Sequence, residues 1–288
     1  MTALGMAFLP NVSTMYELED VRGYDTMAFK PLVETYPLWC VPQPVWFNRV
    51  DDAARPFLSF LNVRYVIAAP GAASPPSWLT LAEGPGGRVV QNPRVISRAF
   101  VPSEIRVEPD PAKRLEALAS ITDFAARGVV SCWPGRPAGL WTRNGAGRVA
   151  IARYEPEELA LETESETEML VATSVTAWSG WRLRIDGRDA PLLEYNHAFL
   201  GFAAPPGRHR ATLRYLPRSV VAGGVTSLLA LLGLAAAAVR VARRGRSSSP
   251  KRARPGESWR TSPRRTGCTT DGSRWSREEP RPPRAEPR

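Results

Sequence analysis

The chain has 288 residues, 43% of them hydrophobic, with 38 basic against 28 acidic side chains and a formal net charge of +10. Residues 240–288 alone hold 15 basic and 5 acidic residues, which leaves 23 of each before them. A neutral body with its excess confined to one end argues against nucleic-acid binding, which needs basic residues gathered on a folded face among aromatics. Three cysteines, at 40, 132 and 268, are too few for a disulfide-held scaffold.

In chain order, the first twenty residues contain no basic segment followed by an apolar stretch of signal length. Residues 51–61 place Ala54, Phe57, Leu58 and Leu61 at helical spacing, with Pro56 confining the helix to a start near that point. The run NVRYVIAAPG over 62–71 predicts a buried strand entering a loop. Gly86 and Gly87 then mark a hairpin turn. A second helix is predicted over 110–127, with Asp110 as cap, Pro111 in the first turn and Gly128 beyond the end. From residue 147 the period changes to two. Trp181, Leu183 and Ile185 share one face while Arg182 and Arg184 share the other, and Ala211, Leu213 and Tyr215 alternate with Arg210, Thr212 and Arg214. Turn signals at 155–156, 179–180, 186–187 and 205–207 divide about seven short strands. The expected fold class is α+β: a mixed α/β part over 1–130, an antiparallel β-sandwich over 131–217, a transmembrane helix over 218–240 and a disordered basic tail over 241–288.

The helix is predicted from residues 220–239, which carry no charge. Twenty helical residues rise about 30 Å, the thickness of a bilayer core. Arginines crowd its C-terminal side, so the tail is expected in the cytoplasm and the preceding domain outside the cell membrane. Anionic lipid is the partner expected for the tail, and an accidental extension is the alternative. Gly223, Ser227 and Ala235 to Ala238 give the helix a small-residue face suited to packing against other transmembrane helices. A C-terminal span with no leader before it implies either an inverted orientation or a chain that ends something longer.

Several phrases in the expected order resemble the YfhO-type bacterial membrane protein family. They are Pro10-Asn11, Arg22-Gly23-Tyr24-Asp25, Leu61 to Val66, Gly180-Trp181, Asp186-Gly187, Asn196 with Phe199 and Gly201, the turn from Pro206 to His209, and Tyr215 with Pro217. The resemblance implies the C-terminal part of a polytopic membrane protein similar to the lipid-linked-sugar glycosyltransferases of the C superfamily, of which some members decorate cell-envelope polymers such as lipoteichoic acid. The catalytic carboxylate of such proteins lies in an early extracytoplasmic loop between membrane helices that this sequence does not contain. The part seen here is therefore expected to be non-catalytic by itself; a free-standing membrane-anchored β-sandwich binding module is the alternative.

The residues offer few chemical groups. His197 and His209 have no Cys, Asp or Glu at ligand spacing, so neither a metal nor a cofactor is expected. His209 is read as ordering its Pro-Gly turn, and Asp186 as opening a hairpin turn. Asp25 is a candidate polar site residue, with capping of a helix at Thr26 as the bland alternative. Trp178 is a candidate contact for a lipid-linked sugar or envelope glycan, with interface anchoring as the rival, and His197 completes the set. Cys40 and Cys132 could pair in an oxidising compartment or stand as independent residues.

Overall fold

A computed structural model describes residues 1–5, 7–23, 29–41, 48–73, 75 and 77–247. Its elements are β1 (Thr2–Ala3), α1 (Lys30–Glu34), α2 (Pro56–Phe60), β2 (Tyr65–Ala68), β3 (Leu79–Gly84), β4 (Gly87–Gln91), β5 (Ala99–Phe100), β6 (Glu104–Val107), α3 (Pro111–Ala119), β7 (Arg127–Val130) and β8 (Trp141–Arg143). There follow β9 (Gly147–Glu155), β10 (Glu158–Ser165), β11 (Met169–Thr176), β12 (Trp181–Ile185), β13 (Arg188–Ala190), β14 (Leu193–Tyr195), β15 (Phe199–Ala204), β16 (Gly207–Tyr215) and α4 (Arg218–Ser247). Many strands and few helices make the α+β class expected from the sequence. Residues 248–288, most of the expected disordered tail, lie outside the described residues, as do Asp25, Trp46 and Cys268.

The strands form three sheets. A four-stranded sheet runs β1-β2-β4-β3, a seven-stranded sheet β5-β11-β15-β14-β7-β6-β8, and a five-stranded sheet β13-β12-β16-β10-β9. The five- and seven-stranded sheets face each other as a β-sandwich. Leu159, Leu161, Leu183, Ala211 and Leu213 from one pack against Met169, Val171, Leu200, Phe202 and Ala204 from the other. In β12 and β16 the predicted alternation holds, because Leu183, Ala211 and Leu213 are buried while Arg182, Arg184, Arg210 and Arg214 are exposed.

The seven-stranded sheet is buried on both faces. Within β11, Met169 and Val171 enter the sandwich core, while Leu170 and Ala172 enter a second core with Phe57, Phe60, Val66, Val90, Phe124, Tyr195 and Phe199. Edge-to-face rings stiffen that second core, Phe57 with Phe124 at 5.1 Å and Phe60 with Phe199 at 4.8 Å. This sheet also takes β6 and β7 from before residue 131 and β11, β14 and β15 from after it.

The helix predicted over 110–127 is shorter than expected. Asp110 caps α3 by accepting from the Ala112 and Lys113 amides, and Pro111 opens the first turn. The helix ends at Ala119, however, and the Asp123 carboxylate accepts from the Ala125 and Ala126 amides to build a separate turn. Gly128 does not end the helix but lies within β7. A Cβ there would sit 1.9 Å from the Tyr195 hydroxyl oxygen, so the position admits only hydrogen. Cys40 and Cys132 are both free, Cys40 buried and Cys132 exposed.

Candidate functional site

The paired phrases of the C-terminal part turn out to be neighbours in space. Gly180 and Pro217 meet where the sheet hands over to α4: a Cβ on Gly180, at φ +125°, would lie 3.0 Å from Pro217 Cα and N, and the Leu216 amide donates to the Gly180 carbonyl at 3.0 Å. Trp181 and Tyr215 are opposite each other in register, with ring centroids 5.3 Å apart. Asp186 and His209 join the other two turns. His209 Nδ1 donates to Asp186 Oδ2 at 2.6 Å, Asp186 Oδ1 accepts from the Arg210 amide at 2.9 Å, and His209 Nε2 lies 2.9 Å from the Pro206 carbonyl oxygen. Hydrogen bonding to Asp186 holds His209 above its ordinary pKa of 6.5, and the same bond holds Asp186 below 3.8. His209 thus orders its turn, and Asp186 opens one at φ 50°.

Asn196 and His197 sit at the tip of the β14–β15 hairpin, both at positive φ. The Asn196 side chain accepts from the Val129 amide at 3.0 Å, and its own amide donates to the Val129 carbonyl at 2.7 Å. Phe199 fills the aromatic core, and a Cβ on Gly201 would lie 3.1 Å from Tyr195 Cβ. These motif residues hold the fold together.

Trp178 and His197, both more than 140 residues from α1 in sequence, reach the segment around it. Trp178 is 42% exposed and its ring lies 4.9 Å from that of Phe29, tilted by 31°, so one face is covered. His197 is 2% exposed; its Nε2 donates to Glu34 Oε2 at 2.7 Å and its Nδ1 has no hydrogen-bond partner among the described residues. The fold therefore gathers two of the three sequence candidates against one short stretch of chain. The third, Asp25, lies outside the described residues.

A cavity of about 530 Å³ adjoins this stretch, bounded by Leu32, Trp39, Asn62, Ser174, Thr176 and Phe199. At its mouth the Tyr154 hydroxyl donates to Glu19 Oε1 at 2.8 Å, Arg98 pairs with the same carboxylate, and its guanidinium lies 4.5 Å from the Tyr154 ring centroid. Burial, with the bond to Glu19, pushes the Tyr154 hydroxyl up to about 12, so it stays a neutral donor. The Ser174 hydroxyl on the wall is buried without a hydrogen-bond partner among the described residues. Nothing in the sequence signals this cluster, whose members come from three distant segments. Nearby, Arg22 is buried and bound to Asp20 at 2.8 Å and to the Phe8 carbonyl at 2.7 Å, which makes the RGYD arginine a structural clamp. Among the described residues, no group of three His, Cys, Asp or Glu side chains is placed to hold a metal.

The helix α4 is apolar over Arg218–Arg243, with a mean hydropathy of 2.1 in its most apolar stretch, and it is the one described helix long and apolar enough to cross a bilayer. A β-rich domain that runs directly into such a helix defines a membrane-attached protein. Residues 145–227, less than a third of the chain, match the family model described as bacterial membrane protein YfhO. The match begins before β9, takes in β9 to β16 and ends inside α4. The YfhO resemblance therefore falls on the sandwich and its entry into the membrane. No curated protein and no solved structure matches the chain.

Proposed function

We propose that this chain supplies the extracytoplasmic C-terminal domain of a membrane glycosyltransferase-like assembly that modifies a cell-envelope polymer. The domain itself is non-catalytic and works with other transmembrane helices that carry the catalytic carboxylate. The observation that carries this reading is the family match, which runs without a break from the β-sandwich into the apolar helix. The charge asymmetry around that helix supports the orientation, with the domain outside and the arginine-rich tail in the cytoplasm. On this reading Trp178 offers its free face to a sugar ring beside the cavity at α1.

The test is transfer of labelled sugar from a lipid carrier to envelope polymer in isolated membranes. Membranes with both this chain and its catalytic partner transfer sugar, while those with either alone do not. Undiminished transfer without this chain would refute the reading.

A further inference from the structure

The end of the five-stranded sheet that feeds α4 carries two arginines directly opposite each other. β12 and β16 are in register with Trp181 against Tyr215 and Arg182 against Arg214, and both arginines are exposed. Like charges directly opposed on neighbouring strands destabilise the pairing. Other cations on this sheet are answered, Arg184 by Asp189 at 2.9 Å, Arg208 by Glu164 at 2.9 Å and Arg153 by Glu158 at 3.7 Å, while Arg188 and Arg210 have no ion pair among the described residues but do not face another arginine across the register. Glu158 is also the register partner of Arg214 on its other side, and it is the acid that Arg153 takes. Arg182, Arg214 and Arg218 have no ion pair among the described residues.

Arg182 and Arg218 also line one recess of about 1,210 Å³, whose walls include Trp181, Tyr215 and Ser219. Asp189 is the one acid on those walls, and Arg184 neutralises it. The recess stands at the membrane entry. Arg214 is four residues from the first residue of α4, at most about 14 Å along an extended strand, and the apolar run begins two residues later. Each headgroup layer is roughly 5–7 Å thick, so Arg218, two residues before the apolar run, lies at the level of the lipid phosphates, with Arg182 and Arg214 on the strand ends that lead into it.

We propose that Arg182, Arg214 and Arg218 hold the phosphate of an anionic membrane lipid in the leaflet that α4 enters. Guanidinium forks match phosphate oxygens in geometry and charge, and an anion between Arg182 and Arg214 removes the repulsion that the strand register imposes. The proposal rests on membrane attachment through α4.

Native mass spectrometry of the full chain in detergent tests it, with phosphatidylglycerol, phosphatidylcholine and inorganic phosphate as probes. Phosphatidylglycerol is retained at least tenfold better than phosphatidylcholine, and the double variant R182Q/R214Q loses that preference although every tail arginine is intact. Thermal melting gives a second readout. Without lipid, R182Q melts no lower than the parent chain, and phosphatidylglycerol raises the Tm of the parent chain but not of the variant. Equal retention of the two lipids, an unchanged preference in R182Q/R214Q, or displacement of phosphatidylglycerol by an equal concentration of inorganic phosphate would overturn the lipid site. Failure of membrane attachment itself would be seen separately, as full chain recovered in the soluble fraction without detergent.

Discussion

Gly128 has no room for a methyl group, because Tyr195 is fully buried and its hydroxyl occupies that space. Gly128→Ala forces the ring or β7 to shift, an overpacking that costs roughly 1–3 kcal/mol and lowers the Tm by several degrees. Calorimetry of the full chain in detergent reads it. Arg22→Ala should cost more, about 3–5 kcal/mol, since it leaves Asp20 buried and charged without its partner. The His209–Asp186 bond gives a pH signature. His209 is raised above 6.5, so its contribution is complete below about pH 6.5 and fades as the pH climbs through the raised value. Asp186 is lowered from 3.8, so its contribution is present above that pH and is lost as the pH falls through the lowered value. The Tm should therefore fall as the pH rises above about 6.5, and H209Q should flatten that fall; an equal slope in the variant would contradict the coupling. Turn roles for Asp186 and His209 were legible because Asp-Gly and Pro-Gly pairs fix local backbone geometry. Their mutual contact was not, since it depends on the register of two strands 23 residues apart.

Among the elements, legibility follows solvent. β12 and β16 show period two because one face is wet. β11, with Met169 to Ser174 all buried, shows no alternation because both faces meet a core. No local pattern could have placed it as the shared layer between the sandwich and the N-terminal part. The overlong helix at 110–127 has a related cause: apolar residues at helical spacing continue through Phe124, but Ile121 and Phe124 are buried from a turn built by Asp123. The junction between β12, β16 and α4 carries a prediction of its own. Gly180 needs φ +125° and contact with Pro217, so Gly180→Ala introduces strain of about 1–3 kcal/mol. Limited proteolysis should then cut near residues 216–219 faster than in the parent chain, and an unchanged rate would mean that the handover to the helix does not depend on this contact.

For the molecule as a whole, the sequence revealed the membrane helix and the domain that leads into it, because twenty uncharged residues and a matched strand pattern need no tertiary information. It named Trp178 and His197 but could not show that both reach the chain around α1, a convergence made by the fold. In the proposed orientation the β-rich domain stands outside the cell membrane and the tail inside, and the three cysteines report on it. Cys132 is exposed on the domain, Cys268 is in the tail, and Cys40 is buried with its thiol pushed up to about 12, which makes it a poor nucleophile and an internal control. The most direct measurement is labelling of intact cells with a membrane-impermeant maleimide, read by peptide mass spectrometry. Cys132 is then modified, Cys268 is modified only after the membrane is opened, and Cys40 stays unmodified until the protein is unfolded. Modification of Cys268 in intact cells with Cys132 protected would contradict it.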